Sequence, residues 1–170
     1  MCDFIIGFSA SLLASFVFLF TILRLLRPSI KISPLIAKTI REGKTIYCFK
    51  VLNTSCYPAY NLQATLSQSV PFQVKNGTNM RNTVLTLRRD NIQGVEGKGF
   101  FTNNIGKNAL IFTTYEDITE ILASENKSVV FQITMHHGVS GISKTFSMVF
   151  DNINDLKDGN FIFGDNLGIS

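Results

Sequence analysis

The sequence predicts a mainly β protein: an antiparallel β-sandwich with one short helix, preceded by one transmembrane α-helix. Three observations lead there. Residues 4–23, FIIGFSASLLASFVFLFTIL, run for twenty residues without a charge. At about 1.5 Å rise per residue such a helix reaches roughly 30 Å, the thickness of a bilayer's hydrocarbon core. Beyond it, short stretches rich in Val, Ile, Phe and Thr alternate apolar with polar residues and are separated by Gly, Asn and Pro turns, the pattern of half-buried strands. Only one later segment has helical spacing. The chain therefore divides into an N-terminal anchor, residues 1–27, and a β domain, residues 28–170, the size of a single domain.

The apolar run reads as a retained anchor rather than a cleaved signal. A signal has a basic start, an apolar core of about 7–15 residues and a small-x-small cleavage site, whereas here the start is Met1-Cys2-Asp3 and Arg24-Leu25-Leu26-Arg27-Pro28 follows the run. Arg24, Arg27 and Lys31 after the span, against Asp3 before it, predict a cytoplasmic C-terminal domain at the cell (inner) membrane, because basic residues near a span are held on the cytoplasmic side. Three sequons, at Asn53, Asn76 and Asn126, then meet no glycosylation enzyme. Cys2, Cys48 and Cys56 form no disulfide framework, in keeping with a reducing compartment. Within the span Gly7, Ser11 and Ser15 recur every four residues with Ala10 and Ala14 beside them. Such a stripe lets membrane helices approach closely and self-associate. Small residues are also common in membrane helices generally, so the stripe has two readings.

Proline at 28 ends the helix, since it lacks the N–H and biases its predecessor away from helical angles. Ile30, Ile32 and Leu35 then alternate in a first short strand, and Glu42-Gly43-Lys44 is a turn. Residues 44–52, KTIYCFKVL, put Ile46, Cys48 and Lys50 on one face and Tyr47, Phe49 and Val51 on the other. Residues 53–58 are loop, and residues 60–67 form a half-buried strand with Leu62, Ala64 and Leu66 inward. A short strand at 72–74 precedes an Asn76-Gly77 turn, and residues 84–89 form the next strand. Gly94, Gly97 and Gly99 punctuate an irregular stretch to Lys107. A strand at 109–113 leads into a helix over 115–122, whose acids Glu116 and Asp117 complement the dipole in the first turn. Strands at 129–135 and 144–150, joined by a turn at 138–141, complete the domain.

Charge is uneven along the chain. Residues 31–107 hold eleven basic and three acidic side chains, whereas residues 151–170 hold four Asp and one Lys. A basic half near the membrane suits an anionic leaflet, each Lys or Arg there contributing roughly 1 kcal/mol, and suits ordinary solubility equally. Nucleic acid is a weak third reading and is not expected as a partner, since aromatics are not interleaved with the basic residues as stacking requires.

Several short motifs carry a family resemblance: Arg27-Pro28, Ile32-Ser33, Glu42-Gly43-Lys44, Lys50 and Asn53 at the end of a strand, Leu85-Thr86-Leu87-Arg88-Arg89, Ile105 with Leu110, Tyr115-Glu116-Asp117-Ile118, then Phe150-Asp151, Asp158-Gly159 and Asp165. In this order the domain resembles the cytoplasmic C-terminal domain of inward-rectifier potassium channels. The resemblance implies an immunoglobulin-like (E-set) sandwich behind an inner pore helix, and a homo-oligomer, tetrameric by analogy. It also implies contact of Arg24, Arg27 and Lys31 with lipid headgroups, although Ser29 and Ile30 stand where the family is often basic. The departures bear on function. No first membrane helix, pore helix or Gly-Tyr-Gly filter is present, so this chain alone is not expected to conduct potassium selectively.

No catalytic set is visible. His136 and His137 would point to opposite faces of a strand and could not share a metal. Cys48 reads as a small buried hydrophobe and Cys56 as a loop thiol. The glycines of residues 94–99 lack the strand-loop-helix setting and Lys-Ser/Thr of a phosphate loop and read as a flexible surface loop. The expectation is a non-enzyme without metal or cofactor: a membrane-anchored, homo-oligomeric sensor or effector answering to a small-molecule ligand or membrane lipid, in its strongest form opening a non-selective pore. A monomeric tethered adaptor for a protein partner and a regulatory subunit of a separately encoded channel are the rivals.

Overall fold

The computed structural model describes residues 2–26, 29–98 and 106–170, with Cys2, Asp3, Arg24 and Leu25 placed by backbone alone. Helix α1, Cys2–Leu25, is followed by strands β1 Ile30–Arg41, β2 Lys44–Asn53, β3 Ala59–Val74, β4 Gly77–Leu85, β5 Asn91–Val95 and β6 Ala109–Thr114. Helix α2, Ile118–Ala123, precedes β7 Ser128–His137, β8 Ser143–Phe150, a 3-10 turn Ile153–Asp155 and β9 Leu156–Asp158. The β domain is mainly strand, in two sheets. The smaller has the order β6-β2-β1-β9. The larger runs β4-β3-β7-β8, with β5 also paired to β3.

Local chemistry explains the frame. Glu42 and Gly43 have φ of 54° and 74°, the two positive angles that a tight hairpin turn between β1 and β2 demands and glycine accepts most easily. Pro34 sits where the β1–β2 register shifts, between Ile32 and Ile36, since a proline lacks the ladder's N–H. Pro71 falls in the part of β3 that pairs with β4, past the last β7 partner at Ser69, so the N–H it lacks is not missed there. The core lies between the sheets. Phe49 of β2 stacks on Phe131 of β7 with ring centroids 5.1 Å apart and 4° between planes, while Phe112 and Phe150 pack at 5.5 and 5.8 Å. All four rings are essentially fully buried, the kind of burial that dominates the energetics of a small domain.

Several sequence expectations change here. The short first strand is twelve residues long, and the separate strand at 72–74 is the end of β3. The strand expected at 84–89 stops at Leu85. From there the chain leaves β3's edge and crosses to the other sheet: Arg88 N–H donates to Thr113 O (2.8 Å), Thr114 Oγ1 donates to Thr86 O (2.6 Å), and Leu85 and Leu87 pack on the core. It then returns to β3 as β5, unforeseen within the glycine-rich stretch. Gly97 is not in a loose loop. A Cβ there would lie 2.5 Å from Cys56 O, and Lys98 N–H donates to Ser55 O at 2.8 Å. Helix α2 starts three residues later than expected because Asp117 is its cap, accepting from Glu120 N–H at 3.1 Å.

Candidate membrane anchor and arginine cleft

Helix α1 contains a span, Phe4–Leu23, long and apolar enough to cross a membrane, and none of it is buried against the protein. Phe4, Phe8, Phe16, Phe18 and Phe20 are each more than 60% exposed. Two of its four hydroxyl side chains bond back to the helix backbone. Ser15 Oγ donates to Ser11 O at 2.9 Å and Thr21 Oγ1 to Val17 O at 2.8 Å, which is what a hydroxyl in hydrocarbon requires. Gly7, Ala10, Ser11, Ala14 and Ser15 are exposed, and a Cβ on Gly7 would meet nothing within 4 Å. The helix ends at the β domain through one described polar contact, Ser140 Oγ donating to Leu26 O at 3.0 Å.

Of the three basic residues expected at lipid headgroups, Lys31 alone is placed with its side chain. It lies exposed on β1, in a groove with Lys98 and Asp165. Arg27 and the side chain of Arg24 lie outside the described residues, as do Pro28, Gly99 and Ile105.

The outer face of the small sheet is covered by the chain's last eleven residues. Phe161 and Ile169 form a bridge and pack on a second cluster, Ala37, Ile46 and Cys48. Beneath them Lys50 is 2% exposed, donating from Nζ to Ile162 O (2.6 Å) and Asn166 O (2.7 Å). Burial pulls this ammonium below the usual lysine range, and the Asp165 carboxylate acts in the opposite sense. Gly159 has φ of 132°, and an added Cβ there would collide with the backbone of Ser170, so the cover closes only on a glycine. Asn53, three residues beyond Lys50, is also buried. Its Nδ2 donates to Tyr57 O and Glu96 O at 3.0 and 3.1 Å, locking the loop that begins there.

Beside this cover opens a cleft of about 320 Å³ lined by Arg41, Cys48, Arg88, Arg89, Thr113 and Phe161, among others. Arg41 ends β1, while Arg88 and Arg89 are carried by the crossing segment that Thr113 and Thr114 pin to β6. No described residue lining the cleft is acidic. Burial pushes the Cys48 thiol above its ordinary range, and the Arg41 guanidinium only partly offsets this. Burial thus favours the thiol over the thiolate at Cys48. The cleft's chemistry is that of cation and hydrogen-bond donors facing open space. That Arg41 lines one cleft with Arg88 and Arg89 is a product of the fold. No local signal announces the cleft, because its arginines belong to separate elements and Lys50, buried beside it, reads from sequence as solvent-facing.

The histidines part as expected. His136 Nδ1 bonds with Ser143 Oγ at 2.9 Å, whereas His137 is buried, its Nδ1 facing the N–H groups of Val139 and Ser140 and its Nε2 without a partner among the described residues. Among the described residues no three His, Cys, Asp or Glu side chains gather as metal ligands. Cys48 and Cys56 are free thiols.

No family model matches the sequence, and no curated protein matches it. Among solved structures, the crystal structure of Spo0M, a sporulation control protein from Bacillus subtilis, superposes with a TM-score of 0.41 at 9% identity. The match covers 72% of this chain and 48% of that one, so this chain spans about half of that structure's length. A likeness at that level carries no inference about activity or partners.

Proposed function

We propose that this chain is a single-pass, membrane-anchored module that is not an enzyme and whose β domain, an immunoglobulin-like sandwich of the E-set type, works at the cytoplasmic face as a homo-oligomeric sensor. The observation that carries the reading is α1, whose uncharged twenty-residue span is not buried against the protein. A helix apolar all round belongs in lipid or in a large core, and the β domain offers α1 no core. Arg24, Arg27 and Lys31 after the span favour a cytoplasmic domain, and the same three residues would meet anionic headgroups. The stripe Gly7, Ala10, Ser11, Ala14 and Ser15, free of other contacts, is the surface on which copies of α1 would pack. The inward-rectifier motifs supply the tetramer as the expected assembly. The domain would answer to a ligand or lipid at the membrane, with a non-selective pore of packed α1 helices as the strongest form.

Full-length protein in lipid nanodiscs tests this by its mass. The reading expects several copies per disc, reduced by Gly7→Leu, with a C-terminal reporter accessible only from the cytoplasmic side. One copy per disc, unchanged by Gly7→Leu, would favour the tethered adaptor or the subunit of a separate channel instead.

A further inference from the structure

We propose that the arginine cleft of the small sheet is a binding site for a phosphomonoester dianion. This names the ligand class for the ligand-responsive part of the reading above and rests on it only there, because the cleft lies in the β domain and uses no residue of α1.

Three features carry the assignment. The first is convergence. Arg41 and the Arg88-Arg89 pair come from segments forty-seven positions apart in sequence, yet they line one concavity in which no described lining residue is acidic. Guanidinium groups gathered without carboxylates repel one another, and an anion between them removes that cost. A planar guanidinium presents paired N–H donors that match phosphate oxygens.

The second is rigidity. The segment bearing Arg88 and Arg89 is fixed at both ends of its crossing, by Thr114 Oγ1 to Thr86 O and Arg88 N–H to Thr113 O before it, and by Ala64 N–H to Asp90 O (2.7 Å) after it. The arginines thus start from a held backbone and lose less freedom on binding. The third is the wall. Phe161 and Ile111 contribute apolar surface to the lining, while Thr113 and Asn160 add polar groups. A cleft of about 320 Å³ admits a phosphate together with a small organic group. The phosphomonoester could be soluble or could be carried by a lipid headgroup, and the chemistry is common to both.

The test uses full-length protein held in nanodiscs of phosphatidylcholine, titrated with phenyl phosphate, and in a second arm, still in those nanodiscs, floated with phosphatidylcholine vesicles with and without phosphatidic acid. Saturable binding in either arm supports the site, phenyl phosphate indicating a soluble ligand and phosphatidic acid alone a lipid one. Arg88→Gln with Arg89→Gln should weaken that binding by about tenfold for each arginine removed. These side chains are exposed, so the variants should unfold at the same denaturant concentration as the parent. Arg88→Lys with Arg89→Lys keeps the charge and should still lose affinity. No saturable binding in either arm, or equal affinity in the glutamine or lysine pair, would overturn the proposal. Failure of the membrane reading would look different: the protein would not enter nanodiscs, while phenyl phosphate would still bind it in buffer.

Discussion

Helix α1 and strand β2 are both strongly apolar, and they meet opposite fates. Every described side chain of α1 from Phe4 to Phe20 is exposed, whereas β2 is buried on both faces from Ile46 to Asn53. The inner face of β2 supplies Phe49 and Val51 to the core between the sheets; the outer face, with Cys48 and Lys50, lies under the C-terminal cover. The contrast separates two ways of removing apolar surface from water. The β domain does so by folding on itself, whereas the span of α1 is not buried against any of the described residues, and a lipid surrounding would remove its apolar surface from water.

Substitutions can break or sharpen that contrast. The largest effect is expected at Phe49, the ring shared by contacts to Phe131 and Phe150. Phe49→Ala should cost about 3–5 kcal/mol in denaturant unfolding of the β domain, and a loss under ~1 kcal/mol would mean that the core is not centred there. On the other face of the same strand, Lys50→Ala leaves Ile162 O and Asn166 O without their donor and should cost about 1–3 kcal/mol. Amide exchange at Asn160, Ile162 and Ser170, whose N–H groups close the cover, should accelerate in this variant before exchange elsewhere does. Loss of the α2 cap by Asp117→Ala should cost about 1 kcal/mol, read from the same unfolding curves; Asp117 also accepts a 2.8 Å bond from Tyr47 Oη, which holds its carboxyl below the ordinary range.

The smallest effect is a pH dependence from His137. Burial holds its imidazole below the ordinary value of 6.5, so as pH falls the unfolded chain takes up a proton first. Stability should therefore be full above pH 6.5 and decline below it until the folded pKa is passed. His137→Gln should flatten that part of the curve in unfolding experiments between pH 7.5 and 5. An unchanged slope would place the dependence elsewhere.

The same contrast explains how much could be read from residues alone. Alternation is visible where one face is dry and the other wet, so Leu62, Ala64 and Leu66 of β3 and Phe146, Met148 and Phe150 of β8 were assigned to the correct face. The faces of β2 were also assigned correctly, but the covering of its outer face was not, because the cover is an irregular segment with polar residues and no periodicity. Lys50 illustrates the limit. A lysine among apolar residues reads as solvent-facing, and its burial depends on two carbonyls more than one hundred positions away. Residues 86–89 misled for a related reason. Thr86 and Leu87 carry the branched and apolar pattern of a strand, yet Leu87 packs on the core while the segment bonds to β6, so the pattern is present without a β3 ladder. The arginine cleft was invisible because its members belong to different elements brought together by that crossing. In contrast, α1 was fully legible, since an uncharged run of twenty residues is a local property.

The central claim is that α1 needs lipid. Cells expressing the full-length chain, lysed without detergent and washed with alkaline carbonate, test it directly by ultracentrifugation. The protein should sediment with the membranes and be released only by detergent; its recovery in the supernatant, folded and without detergent, would contradict the account.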